Sequence, residues 1–304
     1  MECHGFRFHA MGGPCEIRLY AADRAGAEAA AERGKAEVLR LEQRYSRYRD
    51  DSLTTLVNRS AGDTRGVEVD AESAALLDYA HTAWEQSEGL FDITSGVLRR
   101  AWDFKSGRLP QAGEIERLLP LVGWNKIVWR RPRLVLPLPG MELDFGGYVK
   151  EYAADRAAQA CREAGAQHGL VELGGDIALV GPHPDGSPWQ VGVRHPRQPE
   201  RAIAVIPLDH GAIASSGDYE RYFERDGVRY CHILDPRSGW PVRGLAGISV
   251  VAEQCLVAGT ATTIAMLKGP LDGPRWLSEL GVRYLCVAAD GNLRGTVEHQ
   301  RAEG

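Results

Sequence analysis

Between residues 169 and 252 the chain carries eight strand-patterned runs: 169–173, 176–180, 188–194, 202–207, 212–215, 220–224, 227–234 and 246–252. Short apolar or alternating runs bounded by Gly, Pro, Asp and Ser are the pattern of strands joined by turns. Asp226-Gly227, between two of them, is a tight hairpin signal. The helical patterns lie mostly elsewhere. From Arg24 to Tyr45 the chain is rich in Ala and Glu, and Ala27, Ala31, Val38, Leu41 and Tyr45 recur on one face. Residues 72–87, 111–119, 151–164 and 255–268 also read as helices, the last closed by Gly269. A short helix over 274–280 and a hairpin turning on Asp290-Gly291 follow. Long helices beside runs of antiparallel strands specify an α+β fold rather than an alternating, doubly wound sheet.

Near the N-terminus, Phe6 to Tyr20 breaks at Met11-Gly12-Gly13-Pro14 and resumes as the alternating strand Cys15 to Tyr20. Ile127–Trp129 and Leu134–Leu136 flank Arg130-Arg131-Pro132-Arg133 as a hairpin. With 304 residues, no repeat and no low-complexity linker, the chain reads as one domain over 1–304. A two-lobed arrangement would have its seam near Asp144.

Composition excludes several classes. Net charge is −5 and the 36 Lys and Arg are scattered, which argues against a nucleic-acid face. The six cysteines (3, 15, 161, 231, 255 and 286) form no CxxC pair and have no zinc-finger spacing. Cys255 and Cys286 stand in apolar surroundings that suit buried, reduced thiols. Met1 to Arg7 lacks the charged-then-apolar pattern of a signal peptide, and no run is long enough to cross a bilayer. The chain therefore reads as cytoplasmic.

Four segments could carry chemistry: Leu143–Lys150, Val171–Asp176, Ala214–Tyr219 and Tyr230–Pro241. In the first, Asp144 ends a strand and Lys150 lies one turn into a helix. Gly146 and Gly147 would let a ligand approach the backbone, where free N–H groups favour an anion. The same residues would equally serve as a plain strand-to-helix turn capped by Asp144. In the last, His232 and Asp235 stand at the mouth of a strand stopped by Asp235-Pro236 and Ser238-Gly239. That segment alone fits a hairpin end as well as it fits a site. No GxGxxG follows a strand and no carboxylate pair is suggested by spacing, which leaves dehydrogenase and glycosidase readings unsupported.

Taken together and in this order, the four segments resemble the ApbE family, the FAD:protein FMN transferases, from Met11-Gly12 to the helix around Thr263. The resemblance implies a fold of mixed helices and antiparallel sheet with the flavin site between two halves. It implies Mg²⁺-dependent transfer of FMN from FAD to a Ser or Thr hydroxyl of a target flavoprotein, releasing AMP. FAD hydrolysis and a non-catalytic flavin-binding role are the alternatives.

Carried over residue by residue, Asp144 and Lys150 would bind FAD and Gly147 would offer its carbonyl to Mg²⁺. Met11 would touch the flavin, with Gly13 where the family has threonine. Tyr48 would line the isoalloxazine pocket, and Trp102, Asp103 and Phe104 would wall the adenine and flavin site, although aromatics more often pack in cores. His232 would be the general base, since an imidazole titrating near 6.5 can take a hydroxyl proton. Ile233 beside it would contact the cofactor, Asp235 would orient His232 or the neighbouring backbone, and Ser216 and Asp218 would shape the acceptor side.

The metal helix departs from the family pattern of an aspartate followed four residues later by a threonine. Thr263 holds the threonine position, but Gly259 stands where the aspartate should be. Glu253 is the nearby acid in sequence. Weak metal binding is expected on this reading. Gly259→Asp is expected to strengthen it with little effect on stability.

Overall fold

An eight-stranded antiparallel sheet organises the chain. In the computed structural model, which describes residues 1–301, its spatial order begins Glu2–Ala10, Gly13–Ala21, Gly169–Leu173 and Asp176–Gly181. It continues Ala212–Gly217, Leu245–Ala252, Arg283–Ala288 and Leu293–Gly295. Every neighbouring pair is antiparallel. This is the α+β architecture that the strand block specifies.

Alternation along these strands creates two cores, because successive side chains leave opposite faces of a sheet. Val171, Ala178, Val180, Ala214 and Val250 face a helical layer. Leu170, Ile177, Leu179, Ile213 and Val251 face a small sheet made of Trp189–His195, Gln198–Leu208 and Gln300–Arg301. The helical layer consists of Arg24–Tyr45, Val149–Glu163 and Cys255–Glu279. Ala27, Ala30, Ala31, Val38, Leu41 and Tyr45 are all buried on the first of these, the face its periodicity predicts. Small residues bring it close to the Val149–Glu163 helix: a Cβ on Gly34 would lie 2.8 Å from the Cys161 sulfur and 3.2 Å from the Ala157 carbonyl oxygen.

The third helix bends at Gly269, whose φ of 83° ends the first segment before Pro270. Only glycine adopts this backbone without strain. Its N-terminus is capped from outside: the Asp155 carboxylate accepts from the Cys255 and Leu256 amides at 2.7 and 2.9 Å. Residues 46–148 leave the sheet as a separate excursion containing the helices Leu53–Arg59 and Ala71–Gln86 and the 3₁₀ turn Ile93–Arg100. A three-stranded sheet of Val67–Glu68, Arg133–Val135 and Val128–Arg130 completes it. No helix among the described residues is long and apolar enough to cross a membrane.

Two elements are shorter than expected. The strand predicted over 227–234 ends at Cys231, because its partner is the four-residue strand Tyr222–Arg225. The helix predicted over 111–119 is Glu114–Leu118, and Leu119–Leu121 tightens to 3₁₀ at Pro120.

Candidate flavin site

A cavity of about 1110 Å³ opens where the excursion meets the edge of the helical layer. That is just above the range for small-molecule sites, roughly 300–1,000 Å³. One wall is the Asp144 turn. Asp144 is buried; one carboxylate oxygen accepts from the Gly146 amide at 2.8 Å, and the other meets Arg47 at 3.0 Å and Arg99 at 3.4 Å. Burial would raise its pKa, but Arg99 and Arg47 outweigh it and hold the carboxyl below the ordinary value. Gly96 makes this close approach possible, since a Cβ there would lie 2.6 Å from the Asp144 Cβ. The turn leaves Gly146 and Gly147 exposed toward the cavity.

One helical turn further, Lys150 reaches a second acidic residue. Its Nζ lies 2.6 Å from Asp176, whose other oxygen accepts from the Ser215 amide at 3.0 Å. Burial opposes the ammonium charge, but Asp176 and Glu151 outweigh it, so Lys150 remains a cation. Glu151 itself is buried, with burial first among the causes that raise its pKa and Lys150 opposing.

His232 lines the cavity just beyond the Val228–Cys231 strand, and its backbone amide donates to the Arg221 carbonyl at 2.9 Å. Its Nδ1 is buried without a hydrogen-bond partner among the described residues. Burial first, then Arg99 and Arg221, push its pKa down to about 4. A neutral imidazole therefore faces the cavity at neutral pH, with Arg99 and Arg221 close enough to depress its pKa. Ser216 also lines the cavity, its hydroxyl 2.8 Å from that of Thr262 and 3.4 Å from that of Thr263.

The family model described as the ApbE family matches residues 11–286. The chain belongs to the ApbE family. It is 31% identical to the FAD:protein FMN transferase of Rhodobacter capsulatus over 80% of this chain, which spans about half (47%) of that protein. The FAD:protein FMN transferase of Klebsiella pneumoniae is 31% identical over 84% of this chain and 79% of its own length. Among solved structures, the ApbE protein of Thermotoga maritima superposes with a TM-score of 0.87 at 32% identity, covering 97% of each chain. The flavinyl transferase ApbE of Pseudomonas stutzeri gives 0.84 at 28% identity, covering 97% of this chain and 95% of its own.

For this ApbE chain the cavity collects Met11, Tyr48, Asp144, Gly147, Lys150, Ser216, His232, Ile233 and Thr263. Met11 has a φ of 53°, a backbone geometry unusual for a residue with a Cβ, and its backbone N–H donates to the Glu42 carboxylate at 2.6 Å. Tyr48 is 81% exposed at the mouth, beneath the Arg47 guanidinium.

Other residues expected at the site lie outside the cavity lining. Trp102 is buried with Phe104, Phe223 and Tyr230 in a separate apolar cluster, its indole N–H donating to the Gly239 carbonyl at 2.8 Å. Asp103 is exposed and accepts from the Lys105 amide at 3.0 Å, which fixes its own turn. The cluster instead holds up the Ser238-Gly239 end of the His232 segment. Asp235 does not reach His232; its carboxylate accepts from the Arg237 amide at 2.8 Å and the Ser238 hydroxyl at 3.2 Å, so it holds the neighbouring backbone. Asp218 is engaged by Arg197 at 2.7 and 2.8 Å.

The metal position needs the largest correction. Glu253 is exposed and faces His210 at 3.4 Å on the surface, so it is not the missing acid. Nor is there space at residue 259. A Cβ on Gly259 would lie 2.4 Å from Glu151 Cγ and 2.9 Å from Cδ. The expectation that Gly259→Asp is harmless therefore fails: a side chain from the neighbouring helix fills that volume. No group of three or more His, Cys, Asp or Glu placed to hold a metal ion exists among the described residues. Mg²⁺ needs only one or two carboxylates beside substrate phosphates, and the buried, unpartnered Glu151 oxygen next to the cavity fits that demand. Sequence reasoning missed Glu151, as well as Arg99, Arg47 and Asp176; the adjacency of an acid to Lys150 was the available signal.

Proposed function

We propose that this chain is an enzyme that transfers FMN from FAD to a Ser or Thr hydroxyl of a target flavoprotein, releasing AMP. The observation that carries the reading is the neutral His232 imidazole in a cavity lined by Arg99, Arg221 and Lys150, the cations that depress its pKa. The cations suit a dianionic pyrophosphate, and its charge would offset them and raise His232 from about 4 back toward the range in which an imidazole takes a proton. The relatives' activity supports it.

In this reading the FAD pyrophosphate lies along the Gly146-Gly147 turn, where exposed backbone and the Lys150 and Arg99 charges attract it. The flavin lies toward Met11 and Tyr48. His232 accepts the acceptor's hydroxyl proton as its oxygen forms a bond to the phosphorus nearer the flavin. The bond from that phosphorus to the bridging oxygen breaks, and AMP leaves with that oxygen and both electrons. Thr263 and the Gly147 carbonyl would contribute to a bound Mg²⁺, which would neutralise charge building on the pyrophosphate.

The test is direct. Purified protein, FAD, Mg²⁺ and a candidate flavoprotein are mixed, and the denatured target is examined for flavin fluorescence while AMP is quantified. Covalent flavin with equimolar AMP is expected. AMP and free FMN with no labelled target would replace the transferase reading by FAD hydrolysis, and no AMP at all would overturn both.

A further inference from the structure

We propose that Glu151 is the carboxylate ligand of the metal centre, reaching in from the Val149–Glu163 helix to supply the acid that position 259 lacks. The proposal rests on the flavin-transfer reading of the cavity. Three observations carry it. Glu151 is 8% exposed, and its Oε2 has no hydrogen-bond partner among the described residues. A buried, ionised carboxylate with an unpartnered oxygen is costly, and either a proton or a cation relieves it; a cation in the adjoining cavity is the partner that the geometry supports. Second, the carboxylate occupies the place from which a residue-259 side chain would project: a Cβ there would lie 3.0 Å from Glu151 Oε1. Third, Thr263 lies four residues beyond Gly259, hence on the same helix face, and lines the cavity together with Glu151.

A purely structural role for Glu151 as a partner of Lys150 fits less well. Lys150 is 3.9 Å from Glu151 Oε1 but 2.6 Å from Asp176, so its ammonium is already committed. Glycine at 259 and glutamate at 151 are thus one arrangement: an acid moved from one helix to its neighbour, with the first helix hollowed to admit it.

The experiment uses Mn²⁺ as the probe, titrated into the FAD-loaded protein and followed by electron paramagnetic resonance. Wild type, Glu151→Gln, Gly259→Asp and the double exchange Glu151→Gly/Gly259→Asp are compared, with FAD affinity measured separately without metal. Glu151→Gln keeps the shape of the side chain, so the fold should survive. It should weaken Mn²⁺ by roughly tenfold or more, since even partners one shell out from a metal are worth about 10–100-fold. The double exchange should recover most of that loss, whereas Gly259→Asp alone should not tighten Mn²⁺. Unchanged Mn²⁺ affinity in Glu151→Gln, with FAD still bound, overturns the assignment and leaves the flavin reading standing. Absence of FAD binding by the wild type overturns both.

Discussion

His232 combines a partnerless Nδ1 with a pKa pushed down to about 4, by burial first and then by nearby arginines. The free protein should therefore keep this imidazole neutral through pH 5, well below the ordinary histidine midpoint. A pH series of histidine NMR spectra checks this, and bound FAD should move the His232 midpoint upward as its phosphates offset the arginines. The sign for stability follows. Because the folded pKa lies below the unfolded one, stability is lost as pH falls from about 6.5 toward about 4. His232→Gln should flatten that limb of a denaturation series. His232→Ala should retain FAD affinity yet lower transfer by about 10²–10⁴-fold, and equal losses in binding and turnover would remove it as the base. Asp144 behaves differently, because it holds both Arg47 and Arg99. Asp144→Ala should lower FAD affinity and stability together, the latter by about 1–3 kcal/mol, because Arg47 and Arg99 are partly exposed and Arg47 keeps Glu142 as a partner. A calorimetric melt beside an FAD titration distinguishes this from either effect alone.

At the scale of elements, the two helices Val149–Glu163 and Cys255–Glu279 meet at Glu151 and Gly259. Gly259→Asp places one carboxylate against another inside a packed interface. It should destabilise by about 1–3 kcal/mol from overpacking alone, measurable in urea melts. Removing Glu151's side chain in the same molecule should relieve most of that loss. Such elements were largely legible in advance. The Arg24–Tyr45 stripe buried the face its spacing specifies, and Asp226-Gly227 made its hairpin with positive φ at both residues (52° and 72°). What escaped was length: the strand into His232 stopped at Cys231 because its partner ran out, and a partner's length is not written in the strand itself.

Across the whole molecule, the cavity joins the residue 46–148 excursion to the large sheet and its helices, so a ligand filling it bridges both. FAD at a hundredfold excess over its Kd should stabilise the fold by about 2.7 kcal/mol, while NAD at the same concentration should give no comparable shift. Thermal melts with each nucleotide test this. The sequence alone determined the antiparallel sheet, the long helices, the glycine turn from Asp144 to Lys150 and the family, because periodicity and turn chemistry are local properties of the backbone. Only the tertiary structure decided that Trp102 and Phe104 belong to an apolar cluster, that Asp235 holds its own turn and that Glu253 faces outward. It alone set Glu151 against Gly259. These depend on how two distant helices, or a loop and a hairpin, come to share one volume, and no window of sequence contains that distance.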